Sequence, residues 1–271
     1  MAHDRRSFLS FGIGTLVAGA IGPHRLTAQM RLEKGTALPA LFPRQDPVAV
    51  EEMVRVAHFD LGRVKQLVEA RPSLAKAAVD WGFGDWEDAL GAASHSGRDD
   101  IAQLLIAHGA RPTLFSATMM GQLDIVRAFV ESAPGCQGIF GPHSITLLAH
   151  ARAGGGRAIA VREYLERIGG ADPQLAGKIA LSESERAKYV GTYAFGASAE
   201  DVLNVASDKS GLSITRPGLP FPRGLTAVGR DEFVPMGAES VGVRFAFRSD
   251  GVTEVRVFDP DLVVAAERRS S

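Results

Sequence analysis

Hydrophobic positions along this chain keep two different rhythms. From residue 46 to 173 they return at three- and four-residue intervals behind small-residue runs. Ala92-Ala93-Ser94-His95-Ser96-Gly97 leads into Ile101, Leu104 and Leu105; Ala117-Thr118-Met119-Met120-Gly121 leads into Ile125, Ala128 and Phe129. Val56-Ala57-His58-Phe59-Asp60 precedes Val64, Leu67 and Val68, and Thr146-Leu147-Leu148-Ala149-His150-Ala151 leads through Gly154-Gly155-Gly156 to Val161, Tyr164 and Leu165. Each copy predicts two short amphipathic helices joined by a tight turn. The stretch from Trp86 to Gly97 is thereby the first helix of the second copy with its turn, capped by Asp85 or Asp88.

Beyond residue 182 the period drops to two. Val241, Val243, Phe245 and Phe247 alternate, as do Val255 and Val257 after Asp250-Gly251. Strands are predicted at 189–194, 202–207, 212–215, 224–227, 232–235, 241–248, 252–258 and 262–266, a pattern for a small antiparallel barrel or sandwich. The predicted fold is α+β and multidomain, with a helical repeat stack over 46–173 and a β-barrel or sandwich over 183–269.

The helical copies resemble the ankyrin repeat. Its T-P-L-H-x-A-A opening has counterparts in Asp88-Ala89-Leu90-Gly91-Ala92-Ala93-Ser94, in Pro112-Thr113-Leu114, and in Thr146-Leu147-Leu148 before Ala151. The turn positions Asp60, Gly97 and Gly121 lie 37 and then 24 residues apart, against about 33 in ankyrin arrays. The first connector is therefore enlarged and the second almost deleted. The second half resembles the small lipocalin-like barrel appended to many exported bacterial hydrolases, through Tyr189-Val190-Gly191-Thr192-Tyr193, Gly211-Leu212, Phe233, Phe245 and Gly251-Val252. In such proteins the barrel is accessory, and an ankyrin-like partner implies binding rather than chemistry.

At the N-terminus, Asp4-Arg5-Arg6-Ser7-Phe8-Leu9-Ser10 and the apolar run from Phe11 to Gly22 resemble a twin-arginine export signal over residues 1–28, with cleavage after Ala20 or Ala28. The run is shorter than the roughly 20 apolar residues of a membrane-spanning helix. A periplasmic or secreted protein is expected, touching a membrane only through an uncleaved signal. Its 30 basic and 31 acidic side chains advertise no nucleic-acid partner, and a single cysteine, Cys136, excludes an internal disulfide and a thiolate zinc site.

The enlarged connector holds Asp80-Trp81-Gly82-Phe83-Gly84-Asp85-Trp86. Glycines around aromatics suit a projecting finger that turns large side chains toward a partner, or else fills a gap in the irregular stack. The candidate partner-binding residues are Trp81, Phe83, Asp85, Trp86, His95, Phe115, His143 and His150. His58 and His95 share a repeat position, which places them on one ridge about 10 Å apart. With no HExxH, HxH or Cys/His cluster, no metal and no cofactor are expected. Ser73-Leu74-Ala75-Lys76 lacks the companion S-D-N and K-T-G motifs, and Gly154-Gly155-Gly156-Arg157 lacks a P-loop frame. The functional expectation is an exported, non-catalytic binding protein for a protein partner in the cell envelope. Two alternatives stay open: a hydrolase using Asp80, Asp85, His95 or His143 between the two halves, and a small-ligand carrier in the barrel.

Overall fold

A computed structural model describes residue 41 and residues 43–219, 221–249, 251–259 and 262–269. The expected leader, residues 1–28, lies outside the described residues, as does Asp250 of the expected Asp250-Gly251 turn.

Four helix pairs follow one another: α1 (Pro47–Val56) with α2 (Leu61–Ala70), α3 (Ala89–His95) with α4 (Asp99–Ala107), α5 (Leu114–Met119) with α6 (Leu123–Ser132), and α7 (Leu147–Ala153) with α8 (Ile159–Ile168). Short polar side chains start α1, α2, α5 and α7, accepting the otherwise unpaired N–H groups of the first turn. Asp46 accepts from Val48, Asp60 from Arg63, Thr113 from Ser116 and Thr146 from Ala149. Helices α1, α3, α5 and α7 touch in succession to form an inner row, and α2 packs on α4 as α6 packs on α8. The apolar faces fill two clusters, one with Met53, Leu90, Ile101 and Leu105 and the other with Val126, Leu147, Val161 and Leu165.

The second pair departs from the expected helix over Trp86 to Gly97. Trp86–Asp88 is a strand, β2, pairing antiparallel with β1 (Ala78–Asp80), and α3 starts only at Ala89. Asp88, not Asp85, caps it through the Gly91 N–H at 2.5 Å. The enlarged connector is thus a two-stranded finger.

A short helix, α9 (Glu183–Ala187), leads into eight strands: β3 (Gly191–Ala194), β4 (Val202–Asp208), β5 (Gly211–Thr215), β6 (Arg223–Gly229), β7 (Glu232–Pro235), β8 (Gly242–Arg248), β9 (Gly251–Asp259) and β10 (Leu262–Arg268). All neighbours are antiparallel and β10 pairs with β3, closing a barrel rather than a sandwich. Alternate residues point inward, and Tyr189, Phe233 and Phe245 meet inside with ring centroids 4.8 to 5.4 Å apart. Toward the finger a cavity of about 340 Å³ opens among Phe83, Leu203, Ile214, Val257 and Val264. Among the described residues, no helix is long and apolar enough to cross a membrane.

Two turn glycines let the second and third pairs pack closely on the fourth. Gly97 (φ 69°) and Gly121 (φ 74°) are left-handed, and a Cβ on either would run into a carbonyl oxygen, that of Ala153 or Arg157. Gly97→Ala and Gly121→Ala are each expected to cost at least about 2 kcal/mol, from strained φ and the backbone clash together. Chemical denaturation reads this as a lower midpoint with an unchanged slope.

Candidate functional site

The finger is built to a narrow specification. Gly82, Phe83 and Gly84 all have positive φ (109°, 59° and 79°), and the Asp80 carboxylate holds this turn by accepting the N–H groups of Gly82 and Gly84 at 2.8 and 3.2 Å. Phe83 then packs against the barrel core. Strand alternation sends successive side chains of β2 to opposite faces. Trp86 turns outward and is 65% exposed, while Glu87 turns inward and is 1% exposed.

Three imidazoles surround the Glu87 carboxylate. The Nε2 atom of His95, at the end of α3, lies 2.7 Å from Oε1, and that of His58, just past α1, lies 3.6 Å from the same oxygen. His143, in the segment before α7, places Nε2 3.4 Å from Oε2, which also accepts the Trp81 indole N–H at 2.7 Å. One ligand-type atom from each of His58, Glu87, His95 and His143 lies within 4.8 Å of all the others. The expected ridge spacing of about 10 Å between His58 and His95 is therefore corrected: their rings meet edge to face at 4.9 Å. Both sit at turns that point toward the same carboxylate, so side-chain reach closes the distance between helices.

A second carboxylate stands behind the first. Asp85, 2% exposed, accepts the backbone N–H of His143 at 2.9 Å and its Nδ1–H at 2.7 Å. The guanidinium of Arg223, from β6 and itself only 5% exposed, pairs with Asp85 at 2.6 Å. Gly237, left-handed at φ 82°, leaves the room that the Asp85 carboxylate occupies; a Cβ there would overlap it. His143 and Ser144 are also left-handed, at φ 59° and 57°. This costly backbone is anchored by Asp85 on one residue and, on the other, by Ser144 Oγ, which donates to Glu239 at 2.5 Å and accepts the Gly237 N–H at 2.7 Å.

Electrostatics follow the contacts. Burial pushes the Glu87 carboxyl up, but hydrogen bonds from His143 and His95 and nearby imidazole charge outweigh it and hold the group at about 2. Burial likewise raises Asp85, and its bonds to His143 with the charge of Arg223 leave it below the ordinary range. His143 is drawn the other way: burial lowers it, and the two carboxylates carry it up to about 9. His58 is lowered, chiefly by burial. His150 is fully enclosed and brought to about 4 by burial; its Nδ1 donates to the Thr146 carbonyl at 2.9 Å and its Nε2 has no partner among the described residues.

Of the eight residues expected to meet a partner, the structure gathers Asp85, His95 and His143 in this cluster and sets His150 beside it, its ring 6.2 Å from that of His95. Trp81, 4% exposed, is an interior residue rather than an outward anchor, and Asp85 and His150 are likewise covered. Trp86 and Phe115 line an open cleft of about 350 Å³ with Phe140, Pro142 and Glu239. Sequence reasoning missed Glu87 and Arg223; recognising Trp86–Asp88 as a strand would have pointed Glu87 inward. Both ring nitrogens of His143 face carboxylates, Nδ1 toward Asp85 and Nε2 toward Glu87. No protein-family model matches the chain, and no curated protein or solved structure matches it either.

Arg223→Met is expected to destabilise the protein by about 3 kcal/mol, because it leaves the Asp85 charge buried with one partner fewer. In the Asp85→Asn/Arg223→Met double variant the two losses should add to less than their sum. Denaturant titrations of the four proteins in one cycle measure that coupling.

Proposed function

We propose that this chain is an exported, ankyrin-like binding protein that takes a cationic side chain of an envelope protein partner into the cleft beside Trp86. The carrying observation is the outward Trp86 on an otherwise pinned finger. Tryptophan is among the residues that most often anchor interfaces, and Trp86 stands over a cleft with two further aromatics rather than alone on the surface. Trp86, Phe115 and Phe140 offer aromatic faces and Glu239 an exposed carboxylate, a combination that attracts an ammonium or guanidinium group. The paired helices with short inner members, the ankyrin-type opening residues, and the twin-arginine-like leader support the family and the export route in this reading. The accessory barrel, lipocalin-like by its short motifs, supplies Glu239 and the Arg223 that steadies the finger.

Short peptides carrying lysine or arginine are expected to shift the emission of Trp86, and glutamine versions of the same peptides to leave it unchanged. Trp86→Ala should weaken binding at least about tenfold, 1.4 kcal/mol or more, with the melting temperature intact because the side chain is exposed. A photoreactive group at position 86 should then crosslink a protein in the native envelope. Equal binding by Trp86→Ala and the parent overturns the reading.

A further inference from the structure

The imidazole cluster around Glu87 is more elaborate than finger presentation requires. We propose that His58, Glu87, His95 and His143 together bind one divalent transition-metal ion of the zinc class.

Geometry comes first. The four groups offer three imidazole nitrogens and a carboxylate, with separations to the carboxylate oxygens of 2.7, 3.4 and 3.6 Å. A tetrahedral shell with bonds of about 2.0–2.2 Å has edges of roughly 3.3–3.6 Å, so side-chain shifts of about 1 Å bring the four donor atoms, now within 4.8 Å of one another, onto one ion. The donors come from the end of α1, from β2, from the end of α3 and from the segment before α7. Ligation would therefore tie the first, second and fourth helix pairs through the finger.

Two of the three imidazoles have the outer contact a metal site needs. A ligating histidine donates its second ring N–H to a carboxylate or a backbone carbonyl, which orients the ring and leaves the other nitrogen's lone pair for the ion. His143 Nδ1 is bonded to Asp85, which Arg223 holds in turn. His58 Nδ1 lies 3.1 Å from the carbonyl oxygens of Val54 and of Arg55. Carbonyls only accept, so this nitrogen carries the hydrogen, and in the neutral ring Nε2 presents a lone pair to Glu87 Oε1 at 3.6 Å. Two acceptors face each other there, and a cation between them converts repulsion into two bonds. The Trp81 indole N–H on Glu87 Oε2 fixes the carboxylate plane.

Donor chemistry selects the ion. Imidazole with one carboxylate suits zinc and its first-row neighbours, whereas magnesium and calcium take all-oxygen shells. Four protein ligands close a tetrahedral zinc shell, the arrangement of a structural ion. This proposal is independent of the recognition reading, since the ion sits on the inward face of β2 and Trp86 on the outward one.

The test uses the full chain, stripped with a chelator and titrated calorimetrically with Zn²⁺ and, in parallel, Co²⁺. The expected result is one equivalent bound more tightly than about 1 µM, a raised melting temperature, and Co²⁺ visible bands of tetrahedral intensity. Mg²⁺ should give no heat. His58→Ala, His143→Ala and Glu87→Gln should each lower affinity at least about 100-fold, while His108→Ala, outside the cluster, should bind as the parent does. If Glu87→Gln fails to fold, the His58→Ala variant carries the test, because the His58 side chain is 26% exposed. No retained ion at micromolar concentration, equal binding of Mg²⁺, or undiminished binding by the folded His58→Ala and His143→Ala proteins overturns the site.

Discussion

One buried carboxylate carries the charge pairing that joins the helical half to the barrel. Asp85 is buried, and it takes its side-chain hydrogen bonds from His143 and its counter-charge from Arg223 across the junction. A buried charge is tolerated only when paired and hydrogen-bonded, so the position of the finger, the conformation of the segment before α7 and the seating of the barrel are mutually dependent. The glycine at position 237 belongs to the same constraint, because any side chain there would occupy the carboxylate's place. Left-handed backbone at His143 and Ser144 is the cost of presenting an imidazole and its own N–H to a single aspartate.

The finger divides two kinds of chemistry by strand alternation alone. One residue, Trp86, faces outward over an aromatic cleft, and the next, Glu87, faces inward among histidines. Neither could change faces without a register shift, and the pairing of Asp80 with Trp86 and of Val79 with Glu87 forbids that. The outer cleft and the inner cluster are thus properties of one short hairpin.

Much of the architecture could be read from the sequence, and the reasons are local. Helix pairs announce themselves by apolar spacing behind capping Asp60, Thr113 and Thr146, and each predicted strand overlaps a strand of the barrel because inward Val243, Phe245, Val255 and Val257 alternate with solvent-facing neighbours. The cluster was not legible. His58, Glu87, His95 and His143 span 86 residues of chain, and their convergence depends on how far an irregular connector folds back, which no residue spacing reports. Glu87 was further hidden by the helical reading of Trp86 to Gly97, and Arg223 by sitting in a strand whose other inward residues are apolar. Trp81 looked like an anchor because its neighbours are glycines; its indole instead fills the stack and spends its N–H on Glu87.

The barrel has eight strands but unequal joints. β8 and β9 share seven paired positions, whereas among the described residues β7 meets β8 in two and β10 meets β3 in two, Glu267 with Ala194 and Arg268 with Tyr193, the latter helped by the Arg269 N–H on Thr192 and the Arg268 guanidinium on Val190. A closed cylinder is as durable as its weakest seam. The cylinder thus has two short seams, and the one that closes it runs along the strand of Tyr193, whose ring is wholly enclosed.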